Sequence, residues 1–150
     1  MKQKILLIYT WFIRTILIIL PDMPVIMRFR GFLYSFAMKS CGKNFQVSAS
    51  ASIRGIQNIS CGNHVYFGPN SYIFSRISIV IHDEVLIAMN SVIIDSNHGK
   101  DNNSYRYVRG RTQEVIIEKG AWIAANSVVT AGSHIKEGTI VPPCTVTRYK

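Results

Sequence analysis

The sequence predicts an all-β solenoid with three faces, wound from short parallel strands and preceded by an α-helical segment. Three observations carry this. From Ile117 the chain reads IEKGAW, IAANSV, VTAGSH, IKEGTI, VPPCTV, five six-residue units in phase. Each unit opens on an aliphatic residue (Ile117, Ile123, Val129, Ile135, Val141) and carries a small residue four places later (Ala121, Ser127, Ser133, Thr139, Thr145). A period of six matches neither the helical period nor simple strand alternation, and it suits one short strand per face of a triangular coil. The beat is absent before residue 41, where the chain is strongly apolar and basic.

Residues 1–40 form the first element. Residues 5–20 are an apolar run interrupted only by Thr10, Arg14 and Thr15, and residues 25–38 place Phe29, Phe32, Tyr34 and Phe36 beside Arg28 and Arg30. Residues 1–43 contain seven basic residues and one acid, Asp22, so most of the net charge of +9 lies there. The first run is short for a membrane span and holds an arginine. No small-residue cleavage site follows Leu20, which disfavours a signal peptide. Two readings remain. One is an interfacial anchor with apolar side chains in the membrane surface and basic groups facing anionic lipid. The other is a helical cap over the first turn of the solenoid. The charge accompanies aliphatic residues rather than a polar groove, so nucleic acid is not an expected partner.

Residues 41–147 form the solenoid. Three units make one turn of about 18 residues, with the opening aliphatic pointing inward over its counterpart one turn away. The beat recurs over residues 61–78 and 81–98, with fainter openers at Val47, Ile53 and Ile59. Two-residue slips fall at Ile59–Ser60 and Ile79–Val80. Asn63, Asn70, Asn90, Asn126, Gly120, Gly132 and Gly138 stand where corners call for positive φ. Residues 99–114 break the beat: they are polar, aperiodic and basic, a loop ejected from a regular coil, and such loops tend to carry function. Residues 148–150 are a short tail. The three cysteines, Cys41, Cys61 and Cys144, form no close metal-like pair and are expected to be reduced thiols in a cytoplasmic protein.

His98 ends the last unit before the ejected loop, where a flat solenoid side gives way to a concavity. A histidine there suits a general base that takes a proton from an attacking hydroxyl or amine. Asp95, three residues earlier, is placed to orient the imidazole. The remaining histidines fall at differing phases of the beat and form no close pair, so no metal is expected.

The repeat, with His98 before a loop and Gly-Ala-Trp-Ile-Ala-Ala-Asn (120–126) after it, resembles the hexapeptide-repeat acyltransferases. It is most similar to the O-acetyltransferases of sugars and surface polysaccharides. The resemblance covers roughly residues 41–147. It implies a left-handed parallel β-helix, a homotrimer with active sites between subunits, and acetyl-CoA as acetyl donor. His98 would be the general base for a hydroxyl of a sugar, in a cell-surface polysaccharide or its lipid-linked precursor. Trp122, Ala124 and Ala125 would lie along the cofactor, with Arg148 taking the place of the basic tail that such enzymes place on CoA phosphates. It also implies a peripheral position on the inner face of the cell membrane through residues 1–40. The chain departs from the family at three places: Trp-Ile-Ala replaces Trp-Ile-Gly, Gly68 stands where many members carry an asparagine, and the usual Gly-x-Pro-Ala stretch is missing after Pro142–Pro143. Acetylation of an amino sugar, and a non-catalytic scaffold, are the alternatives these departures leave open.

Overall fold

A computed structural model describes residues 2–147; Arg148 and the rest of the tail lie outside the described residues. Two helices, α1 (Lys2–Leu17) and α2 (Pro24–Ser35), precede five coils of a left-handed parallel β-helix. Each coil lays one strand on each of three five-stranded sheets. The first face runs Ser40–Cys41, Ile59–Cys61, Ile79–Ile81, Val115–Ile117 and His134–Ile135. The second face runs Gln46–Val47, Tyr66–Phe67, Leu86–Ile87, Trp122–Ile123 and Ile140–Val141. The third runs Ser52–Arg54, Tyr72–Phe74, Val92–Ile94, Val128–Val129 and Val146–Thr147.

The openers behave as their spacing predicts. Val47, Phe67, Ile87, Ile123 and Val141 stack up the second face, and Ile53, Ile73, Ile93 and Val129 up the third, all buried. Even the faint openers Val47, Ile53 and Ile59 belong to this core. Burying each such side chain contributes about 1.5–3 kcal/mol before the entropy of ordering is subtracted.

The two-residue slips have a structural meaning. In the early coils the register advances by 20 residues, as Ser40 over Ser60 and Ile59 over Ile79 show, because the first-face strand is longer. It sends two side chains inward instead of one: Ile59 with Cys61, Ile79 with Ile81, Val115 with Ile117. The last coil returns to 18 residues, with Ile117 over Ile135. Positive φ occurs at Asn70, Asn90, Asn126, Gly120, Gly132 and Gly138, as expected. At the remaining expected position it falls on His64 rather than Asn63. Asn63 instead bridges coils, accepting from the Lys43 N–H and donating to Asp83. The cysteines are free, and burial pushes the Cys41 thiol up to about 11 and raises the Cys61 thiol as well.

The helices close the open end of the coil. Ile13 and Leu17 of α1 and Tyr34 of α2 enter the same core as the first coil. The α2 backbone approaches so closely that a side chain at Gly31 would lie 1.9 Å from the Phe45 carbonyl oxygen. Arg30 is not a lipid-facing cation. It is buried, and its guanidinium holds Asp22 Oδ1 at 2.6 Å and the carbonyls of Leu17, Leu20, Pro21 and Val47. Asp22 in turn accepts from Ser48 Oγ and the Ala49 N–H. One ion pair thus ties both helices to the first coil. Beyond these contacts the helices and the turn between them expose many apolar side chains, including Ile19 in the turn at 83% and Val25 of α2 at 71%. No helix among the described residues is long and apolar enough to cross a membrane.

Burial alone would raise the Asp22 carboxyl, but the hydrogen bonds from Ser48 and Ala49 and the charge of Arg30 outweigh it and hold it below its ordinary value. Its contribution is therefore full above the ordinary carboxylate range and fades as pH falls through the lower folded value. Asp22→Asn is expected to cost about 1–3 kcal/mol in denaturant unfolding at pH 7. It should also flatten part of the stability loss that the unaltered protein shows below about pH 4. Equal unfolding midpoints at neutral pH would contradict this role.

Candidate active site

The ejected loop leaves the coil at the edge between the third and first faces. Register resumes after it as though nothing intervened, with Val92 paired to Val128 and Ile79 to Val115. A buried carboxylate makes this possible. Asp95 is fully buried and accepts from Ser75 Oγ at 2.7 Å and from the backbone N–H groups of Arg76, Ile77 and Ser78. Its own carbonyl receives the Gln113 N–H, and Ser78 Oγ donates to Glu114 at 2.6 Å. The start and end of the loop are fastened at one point. A buried carboxylate costs several kcal/mol unless donors surround it, and here the donors are the amides of the corner below.

Ser96–His98 then pairs antiparallel with Arg109–Thr112, the only antiparallel strand pair among the described residues, with an irregularity between Ser96 and His98. A side chain at Gly110 would lie 2.4 Å from the His98 carbonyl carbon, so the hairpin closes only over a glycine. His98 projects, exposed, into a cleft of about 490 Å³. Arg54, Phe74 and Arg76 line it from the third face, with Arg106 and Arg109 from the loop. The imidazole has no hydrogen-bond partner among the described residues. The expectation that Asp95 orients it is corrected here: both oxygens of Asp95 are occupied by the corner, and no hydrogen bond joins it to His98. Asp95 acts on His98 by fixing the hairpin that carries it.

Trp122 lies elsewhere. It sits on the outside of the second face, 44% exposed, between Leu86 and Ile140. That face is opposite the edge that carries His98, so one chain does not bring the two residues into one cleft. Ala124 is buried, and its amide donates to Val141 O while its carbonyl accepts from Ser91 Oγ. It offers a small side chain rather than a free amide. Ala125 is half-buried, and its carbonyl accepts the Cys144 N–H. Gly68 packs against the next coil, where a side chain would lie 2.9 Å from Ile87 O.

No family model matches the chain. It is 27% identical over 117 residues to a protein of Escherichia coli K12 assigned as the colanic acid biosynthesis acetyltransferase WcaF. The match covers 78% of this chain but 63% of that protein, so the chain spans less than two thirds of that relative's length. Among solved structures, it superposes on a hexapeptide-repeat acetyltransferase from Vibrio cholerae complexed with acetyl coenzyme A with a TM-score of 0.77 at 18% identity, covering 97% of this chain and 77% of that one. A maltose O-acetyltransferase from Clostridium difficile 630 gives 0.68 at 22% identity, covering 93% and 79%. In fold and repeat, the chain is similar to these hexapeptide-repeat acetyltransferases.

Within this hexapeptide-repeat frame, sequence reasoning located His98 and missed the residues around it. Arg54 and Phe74 are register partners one coil apart on the outer surface of the third face. Their proximity to His98 follows from the 20-residue coil, a length that the 18-residue ideal conceals. Removing the corner anchor with Asp95→Ala strands three backbone N–H groups and the Ser75 hydroxyl. The expected cost is about 3 kcal/mol, read as a lowered thermal midpoint together with protease cleavage within residues 99–114. A resistant loop and an unchanged midpoint would remove Asp95 from this role.

Proposed function

We propose that this chain transfers an acetyl group from acetyl-CoA to a sugar hydroxyl in the synthesis of a cell-surface glycan. The observation that carries the reading is His98: an exposed imidazole with no hydrogen-bond partner among the described residues, on a hairpin at the mouth of a cleft, where the loop leaves the β-helix. The similarity to acetyltransferases, one of them assigned to a surface polysaccharide and one to a sugar, supports it.

In this mechanism His98 accepts the proton of the acceptor hydroxyl as its oxygen attacks the thioester carbonyl. The C–S bond then breaks, and the imidazolium returns the proton to the departing sulfur, leaving an acetyl ester and free CoA. General base catalysis of this kind contributes about 10²–10⁴-fold, and holding both reactants in one cleft supplies much of the rest. Trp122, with Leu86 and Ile140 on either side, offers an apolar stripe for the pantetheine arm, and the small side chains of Ala124 and Ala125 let it lie close to the backbone. Arg148 is assigned to the CoA phosphates.

His98 and Trp122 lie on opposite sides of one chain, so the complete site draws on two chains. A closed homotrimer, with the loop of one subunit reaching the second face of its neighbour, satisfies this requirement. The exposed apolar side of α1 and α2, flanked by Lys4, Arg14 and Arg28, is assigned to the cytoplasmic surface of the membrane. Such a peripheral site combines burial of apolar side chains with attraction to anionic lipid.

His98→Ala is expected to lower kcat for acetyl transfer by about 10²–10⁴-fold while CoA binding persists in calorimetry. Mixing His98→Ala with Trp122→Ala subunits should restore about a quarter of full activity, the random-pairing fraction for a site shared between neighbours. Near-normal turnover of the first variant defeats the mechanism, and failure of the mixture defeats the shared site. A separate measurement addresses the membrane. The unaltered protein should sediment with anionic vesicles, less so at high salt, and Ile19→Glu/Val25→Glu should remain in the supernatant. A protein that never sediments, or a double variant that does, excludes the membrane assignment.

A further inference from the structure

We infer that the acceptor is a glycosyl diphosphate carried on a prenyl-type chain, and that the chain lies in a trough along α1. The inference rests on the reading of the His98 cleft as the acetyl-transfer site.

The first observation is uncompensated charge. The guanidinium carbons of Arg54 and Arg76 each lie 5.6 Å from the centroid of the Phe74 ring, so one aromatic side chain is in contact with two cations. Arg106 and Arg109 face the same cleft from the loop. Among the described residues no carboxylate pairs with any of the four, and Arg54 donates to Tyr72 Oη at 3.4 Å. Four like charges around one cleft repel one another and favour an anionic occupant. A neutral sugar needs no such charge. Arginine presents a planar fork of donors that matches phosphate oxygens, and two adjacent forks suit a diphosphate.

The second observation is where the cleft leads. Arg54 and Phe74 also line a depression of about 160 Å³ that reaches Leu7 of α1. Leu7 and Arg54 pass in turn into a cavity of about 350 Å³ between α1 and the first coil, where Ile8, Trp11 and Ile53 form the walls. Arg54 lines all three spaces, Phe74 the first two and Leu7 the last two, so they follow one another from the third face to α1 as one path. Its chemistry changes from the imidazole, through arginines and Lys4, to a mainly apolar lining in which Arg14 and Arg54 are the cations. Ile8 and Trp11 are 64% and 62% exposed on this path, which is costly for side chains of that size without an occupant. A sugar at His98, a diphosphate at Arg54 and Arg76, and an isoprenoid tail against Leu7, Ile8 and Trp11 would match this order of surfaces. The path reaches the apolar side of α1 assigned to the membrane, where such an acceptor would be embedded.

Phosphate also occurs in acetyl-CoA and in nucleotide sugars, and the test separates these sources. One sugar is offered as a neutral octyl glycoside, as a nucleoside diphosphate sugar and as a farnesyl diphosphate sugar. The farnesyl form should have the lowest KM. Arg54→Gln/Arg76→Gln should raise that KM by about tenfold or more, with the KM for acetyl-CoA unchanged. Trp11→Ala should raise the KM for the farnesyl form and leave the nucleotide sugar unaffected. Equal KM values for the neutral and phosphorylated acceptors would overturn the inference while leaving His98-dependent acetylation intact. A raised KM for acetyl-CoA in the double variant would assign the arginines to CoA and overturn it too. If no acceptor is acetylated, the functional proposal fails, and binding of farnesyl diphosphate alone still decides this one. It should shift the Trp11 fluorescence of the unaltered protein but not of the double variant, and absence of that shift overturns the inference.

Discussion

Parallel pairing between coils determines which residue stands over which, and every other property of the molecule is built on that vertical register. Ile59 over Ile79 and Val47 over Phe67 make a continuous apolar column out of side chains that no single coil could bury. The same register brings Asp95 over the corner amides of the preceding coil. A carboxylate at that height closes the corner electrostatically, so the chain can leave the coil for sixteen residues and return in phase. His98 is therefore held by the regular part of the structure rather than by the loop it introduces.

Much of the fold was legible because the six-residue beat records an inward contact repeated on every face. Residues such as Ile123 and Val129 could be placed from phase alone, and so could the position of the ejected loop. Tertiary partners without a period were not legible. Arg30 reads as one more cation in a basic segment, yet its identity is decided by a distant carboxylate and four carbonyls. Asp95 lies three residues from His98 in sequence, which suggests a catalytic pair, but the strand turns its side chain into the corner. Arg54, Phe74 and Arg76 are separated from His98 by one or two coils. They become its neighbours only through a 20-residue coil length, which depends on the longer first-face strand.

Positive charge serves three different ends in this chain. In Arg30 it is neutralised and structural, joining helix, turn and coil. At Lys4, Arg14 and Arg28 it stands on the surface among apolar side chains. At Arg54 and Arg76 it is gathered on one ring, and among the described residues no carboxylate pairs with either guanidinium. Net charge alone does not distinguish these, and only the last group creates a local field in a confined space. The two halves of the proposed site are also divided, the histidine on an edge and the tryptophan on the face opposite. Under that proposal the folded chain is chemically incomplete by itself even though its core is fully formed.

The helices over the first coil have a consequence for self-association. The terminal rung of a parallel solenoid exposes unpaired N–H and C=O groups above an apolar cross-section, a ready template on which another chain could continue the stack. Here α2 sits against Gln46–Val47, and α1 against Ser52–Arg54 and Ile56–Asn58. The Arg30–Asp22 pair holds them there. A local loosening of that ion pair would uncover a growing end, so the clamp protects against filament formation as well as against unfolding.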